Sequence, residues 1–248
     1  MPALESQPLL CYNFNMSVFA SLGIVILSML IMSSLQIVPG IFALFSHYAL
    51  GKHSRQKASI LGLFFILGTE ITCACLFLSS YYLVNILFLG ERRPENSFIV
   101  WFAFGITIAL AICCFFFYYR KNSTATFLSR NCAKALYHHA KTASRPTDAF
   151  VLGALSNVCE LLFTLPLYLI TSIEIMEMHT EYIADNLLTV LYILVPTFPL
   201  LSIYHKYHTH HNLADYLRAR VKDKSFNRFI LGFSYLTIAI LILFFRAI

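Results

Sequence analysis

Two glutamates stand where charge is otherwise scarce. Glu70 lies in Gly68-Thr69-Glu70-Ile71-Thr72 and Glu160 in Ser156-Asn157-Val158-Cys159-Glu160, each about twelve residues into an apolar stretch. An ionised group inside hydrocarbon is costly, so a carboxyl at such depth reads as a site that can take up and release a proton as a substrate moves. The plainer reading is a glutamate that snorkels to the membrane boundary or pairs with a loop lysine. Twelve residues of depth make snorkelling awkward, which favours function for at least one of the two. If both helices run outward from the same side, the two carboxyls reach similar depth and could share one proton between them.

A second polar group sits near Pro39-Gly40. Ser33, Ser34 and Gln36 precede that dipeptide by a turn or two. Proline removes a backbone donor and glycine loosens the helix, so the chain can break there. A discontinuous helix frees backbone carbonyls and amides for a substrate. The alternative is a packing kink with small residues against a neighbour. The third group is the run His205-Lys206-Tyr207-His208-Thr209-His210-His211. His205, His208, His210 and His211 are weak candidates for transition-metal ligands. The segment has no cysteine, and Asp215 is the nearest acid, so a plain solvated loop is the stronger reading. No HExxH, Gly-rich phosphate loop, paired CxxC or nucleophile–base pair is present, and the chain does not read as an enzyme. No cofactor is implied.

The elements that must position these residues are membrane helices. The 248 residues are 58% hydrophobic and 12% charged, with a mean hydropathy of +0.71, whereas a soluble domain carries roughly 25% charged residues. The charges gather in short segments, and the apolar runs between them are continuous, which excludes the alternation of a β-barrel. Residues 1–16 lack Lys and Arg and so do not read as a secretory signal. The first apolar run, from Ser17 to about Leu50, exceeds one crossing of ~20 residues and is expected to break near Pro39. Further helices are expected at about Ala58–Leu89, Ser97–Tyr119, Asp148–Ile173, Asn186–Tyr204 and Arg228–Phe245. A surface helix is expected around Phe127–Lys141 and an acidic loop over Glu174–Asp185. The fourth helix should begin behind Pro146 with Asp148 in its first turn. Pro166, Pro196 and Pro199 should kink the fourth and fifth helices. The expectation is an all-α polytopic membrane protein, one domain over 1–248, with about six transmembrane helices and a broken first helix.

Fifteen of the 18 Lys and Arg fall in the loops near 51–57, 120–147 and 205–227, with Arg228 at the edge of the last. The positive-inside rule places these loops in the cytoplasm and both termini outside. The net charge of +6 is thereby a matter of topology, and no nucleic-acid partner is implied. The cysteines lie mostly inside helices and show no disulfide framework.

The arrangement resembles the lysine-exporter (LysE) superfamily of six-helix efflux proteins. Pro39-Gly40-Ile41-Phe42-Ala43-Leu44, followed by Leu50-Gly51-Lys52 and Lys57-Ala58-Ser59-Ile60-Leu61-Gly62, resembles the family's first-helix Pro-Gly-Pro motif and the basic loop after it. Phe150-Val151-Leu152-Gly153-Ala154-Leu155-Ser156-Asn157, with Leu162-Phe163 and Pro166, resembles its fourth helix. Phe226-Asn227-Arg228-Phe229-Ile230-Leu231-Gly232 resembles the start of its sixth. Ile41 stands in place of the second proline, Val158-Cys159 in place of a Pro-Lys pair, and the Glu70/Glu160 pair is outside the usual pattern, as for a divergent member. The resemblance implies efflux of a small solute such as an amino acid or derivative, across a prokaryotic inner (plasma) membrane. Substrate would bind near Gln36, Pro39, Gly40 and Asn157, with Glu70 or Glu160 coupling proton movement. Two other readings compete: a transition-metal cation transporter, and a non-transporting membrane scaffold or assembly factor. The expected partners are the lipid bilayer and a small-molecule or ion substrate. A homo-oligomer is also open.

Overall fold

A computed structural model describes residues 18–35, 55–89, 97–117, 135–136, 138–140, 142–178, 182–209 and 224–246. Every element among them is helical. The first, α1, runs over Val18–Leu35 and α2 over Arg55–Leu89. Helix α3, Ser97–Ile112, closes in a π-helical turn at Cys113–Phe117. Helices α4, Pro146–Cys159, and α5, Leu161–Glu177, follow one another across Glu160. Helix α6, Tyr182–Leu194, passes through a 3-10 turn at Val195–Thr197 into α7, Phe198–Thr209. The last, α8, spans Lys224–Arg246.

Among the described residues three stretches are long and apolar enough to cross a membrane: Val18–Leu35, Gln56–Ile86 and Ile183–His205. The α4–α5 pair makes a fourth if it is counted as one bent span. Helix α2 shows how its two faces differ. One face carries Ala58, Leu61, Phe65, Thr69, Cys73 and Phe77, all buried, at the three- and four-residue steps of a helix stripe. The opposite face carries Ile60, Leu63, Leu67, Ile71 and Leu78, all exposed. A water-facing surface would be polar there. Here the outer face is as apolar as the core, and the small and polar residues lie inside, as in a helix surrounded by hydrocarbon.

Among the described residues, buried side chains gather in a larger and a smaller cluster. The larger gathers α1, α2, α3, α5, α6 and α8 around Met32, Phe77, Leu167, Tyr168, Tyr192 and Tyr235. The smaller holds Phe65, Ile66, Ala140, Leu152 and Leu200. Helix α4 serves the smaller cluster and α5 the larger, so the chain must turn between them. It does so by 74°.

That turn corrects the expected single helix from Asp148 to Ile173. The kink was expected at Pro166, which instead lies inside α5. The bend falls six residues earlier, because α4 is held against α2 while α5 must reach the larger cluster. Glu174 was expected in an acidic loop. It is buried within α5, and α6 already begins at Tyr182. Pro196 produces the 3-10 turn without ending the span, so helix continues to Thr209 through His205 and His208. The expected start of α4 holds: Pro146 is its first residue, and Asp148 Oδ2 accepts the backbone N–H groups of Ser144 and Arg145 at 3.1 and 3.0 Å. Pro39, Gly40 and Gln36 lie outside the described residues, and with them the expected break in the first helix.

Candidate functional site

The site is framed by an unusually close crossing of α2 and α4. A Cβ added to Gly68 would run into the Phe150 carbonyl, and one added to Gly153 into the Phe65 carbonyl. Only glycine lets two backbones approach so closely. Two hydrogen bonds then fasten the crossing. Asn157 Nδ2 donates to the Thr69 carbonyl at 2.9 Å, and Thr69 Oγ1 donates to Phe65 O at 3.0 Å and Gly153 O at 3.3 Å. Asn157, expected from sequence as a substrate contact, is fully buried and acts here as a fastener between helices.

The Asn157–Thr69 bond lies one residue from Glu70 and three from Glu160 along the chain, so the two glutamates flank it. They share no hydrogen bond: neither oxygen of Glu70 has a partner. The shared-proton arrangement is therefore not what the side chains adopt. Each glutamate keeps its own surroundings. Glu70 is half-buried as a residue, but both of its carboxyl oxygens are shielded. The Thr197 hydroxyl lies toward it, yet the proton of that hydroxyl goes to Leu194 O at 2.7 Å. Cys73, one turn further along α2, is in electrostatic reach of Glu70.

Glu160 is 1% exposed and forms the joint itself. Its φ of −92° and ψ of 0° lie in the sparsely populated bridge region between helix and strand. Its N–H donates to Ser156 O and Asn157 O, both at 3.2 Å, and its carbonyl accepts from Phe163 and Thr164 at 2.9 and 3.1 Å. The backbone is thus satisfied through the bend. The side chain is not: Oε2 has no hydrogen-bond partner. Among the described residues none supplies a positive charge to it. Tyr168 and Tyr235 are within its electrostatic reach, and Tyr235 OH donates to Phe163 O at 3.3 Å, closing α8 over the first turn of α5.

Hydroxyl and thiol groups also pair with one another around the larger cluster. Tyr168 OH donates to Cys73 Sγ at 3.4 Å, Thr171 Oγ1 donates to Ser28 Oγ at 2.9 Å, and Ser28 Oγ and Tyr192 OH stand 3.0 Å apart. Phe77 packs on Tyr192 with ring centroids 4.5 Å apart. Thr164, Tyr168, Tyr192, Thr197 and Ser28 were not singled out from sequence. The four-residue steps Glu160, Thr164 and Tyr168 would have placed two of them on one face with Glu160.

The remaining candidates are dispersed. Ser33 and Ser34 back-bond to Met29 O and Leu30 O at 2.8 and 3.0 Å, and Ser33 also reaches Val195 O at 3.4 Å. His205 is exposed on α7, His208 belongs to that helix, and His210 and His211 lie outside the described residues. Among the described residues no three of His, Cys, Asp and Glu converge as a metal site would require.

No family model matches the chain, and no curated protein or solved structure matches it.

Proposed function

We propose that the chain is a small ion-coupled secondary carrier that exports a solute of amino-acid size, with Glu70 and Glu160 as its coupling groups. The observation that carries this reading is Glu160. A buried carboxyl with an unpartnered oxygen, at the joint of a sharply bent helix pair, is costly in a protein that only needs to pack. Helix breaks at mid-membrane are where carriers place such groups, because the broken ends offer carbonyls and amides to ions and substrates. The motif resemblance to the lysine-exporter superfamily, through Pro39-Gly40 and Phe150–Asn157, points the same way. We propose the chain as a divergent member of that superfamily.

The six-span topology belongs to the same proposal. The three continuous spans and the bent pair are joined by two shorter apolar helices, Trp101–Phe116 and Leu231–Phe244. Helix α8, at 23 residues, is about 34 Å long, enough for a hydrocarbon core of ~30 Å. Both termini then face outside a prokaryotic plasma membrane.

The test is reconstitution of the full chain into vesicles preloaded with the proteinogenic amino acids, with their release read by mass spectrometry under an imposed cation or proton gradient. At least one should leave faster than from empty vesicles, and Glu70→Gln should slow it. Release no faster than from empty vesicles, with the protein correctly inserted, sinks the carrier reading.

A further inference from the structure

The joint between α4 and α5 holds a second unsatisfied group besides Glu160. Thr164 is fully buried, and its Oγ1 has no hydrogen-bond partner. Among the described residues no other buried Ser or Thr hydroxyl lacks a partner. A helical Ser or Thr ordinarily returns its proton to the carbonyl four residues back. Thr69, Ser80, Thr107 and Ser172 all do so, to Phe65, Leu76, Ala103 and Tyr168 at 2.7–3.0 Å. For Thr164 the corresponding carbonyl is that of Glu160, at the bend, which already accepts two amides. The Thr164 hydroxyl is therefore left over. Side chains in a helix lean toward its N-terminus, and residues four apart share a face. Residue 164 is thus on the same face as residue 160, whose Oε2 is equally unsatisfied.

We propose that Glu160 and Thr164 form a binding site for a monovalent alkali cation, Na+, at the α4–α5 joint. Neither oxygen is the other's hydrogen-bond partner, so in this arrangement a proton on Glu160 does not by itself satisfy Thr164. A cation between the two oxygens satisfies both. The donors are hard oxygens, a carboxylate and a hydroxyl, beside the carbonyl end of α4, and no thiol or imidazole is required. Such a set suits hard cations rather than transition metals. One carboxylate balances one positive charge, so a monovalent ion leaves the buried site neutral, whereas a divalent ion would leave a net charge in hydrocarbon. This inference rests on the carrier reading only for its purpose: it names the ion that Glu160 takes. The binding itself can be measured without transport.

The experiment is equilibrium binding of radiolabelled Na+ to the purified full chain in lipid nanodiscs, with choline holding the ionic strength constant. The wild-type chain should bind Na+ saturably, close to one ion per chain. Glu160→Gln should abolish binding. Thr164→Val should weaken it about tenfold, the cost of one ligand to a charged group, while Thr164→Ser, which restores the hydroxyl, should recover it. Size exclusion and helical circular dichroism report whether each variant is folded. The proposal is overturned if wild-type and folded Glu160→Gln chains bind equally, if Thr164→Val binds as wild type, or if Ca2+ displaces Na+ stoichiometrically at far lower concentration. Absent Na+ binding alongside proton-driven solute release would leave the carrier and remove the sodium site. Present Na+ binding without release of any amino acid would do the reverse.

Discussion

Helix α4 ends in two contrasting ways. Its middle lies against α2 with glycine on both sides, backbone to backbone, and Asn157 Nδ2 and Thr69 Oγ1 each find a carbonyl. One turn further, at the joint with α5, Glu160 Oε2 and Thr164 Oγ1 are buried and find none. The two regions lie within a few residues of one another along the chain and differ in whether those polar atoms are paired. In hydrocarbon an unpaired polar atom is costly, and the tight crossing shows that this sequence can meet the requirement when packing is the whole purpose. The joint is left unsatisfied three residues away, which points to a ligand that completes it. The crossing then reads as the fixed part of the bundle, and the joint as the part that responds.

The largest effect should come from breaking the fixed part. Gly153→Val places a branched side chain against the Phe65 carbonyl, a backbone atom that cannot rotate away. The expected outcome is loss of the folded, monodisperse protein, at or above the ~1–3 kcal/mol usual for overpacking. Gly68→Val should do the same. Gly105, which has nothing within 4 Å of an added Cβ, is the control, and Gly105→Ala should insert and purify as wild type. Equal yields from all three would mean that α2 and α4 do not meet as described.

The responsive joint should behave in the opposite manner. Glu160→Met fills similar volume and removes a desolvated carboxyl, so in Na+-free buffer its melting temperature should equal or exceed that of the wild type. Solute release should meanwhile be lost. A marked fall in melting temperature without Na+ would mean that Glu160 supports the fold, and the contrast between the two regions would collapse.

This contrast also marks how far the sequence could be read. The interior depth of Glu70 and Glu160, the helix start at Pro146 and the apolar outer face of α2 all follow from residue type and period. The bend at Glu160 does not. The run Asn157-Val158-Cys159-Glu160 contains neither glycine nor proline, and the nearest proline, Pro166, sits undisturbed inside α5. The turn is imposed by packing, since α4 and α5 serve different clusters, and no local signal reports such a tertiary demand. For the same reason Asn157 looked like a substrate contact. Its carbonyl partner is 88 residues away in sequence.

A smaller effect is expected at that fastener. Asn157→Leu removes one interhelical hydrogen bond while keeping the volume, and the Thr69 carbonyl stays within its own helix. Such bonds average ~0.6 kcal/mol in membrane proteins and rarely exceed ~1.7. A modest drop in melting temperature with transport retained is the expected result. Abolished transport in a folded Asn157→Leu chain would return this residue to the substrate site.

The smallest effect should fall furthest from the joint, at Tyr192. Its hydroxyl stands 3.0 Å from Ser28 Oγ, which also accepts the Thr171 proton at 2.9 Å. Since Thr171 donates to Ser28, the remaining bond has two possible directions, from Ser28 to Tyr192 or from Tyr192 to Ser28. Tyr192→Phe deletes that bond in either case, but keeps the ring against Phe77. The cost should not exceed the ~0.6 kcal/mol average of such interhelical bonds. Ser28→Ala removes the same bond from the other side and also strands Thr171. The double variant separates the terms: if the bond is the only link, the two single costs should overlap by most of the Tyr192→Phe cost. Full additivity would mean that the two hydroxyls do not interact. Transport should survive Tyr192→Phe, because nothing at the α4–α5 joint has changed. If it does not, these hydroxyl groups take part in coupling, and the responsive region extends from Glu160 through Tyr168 to α1.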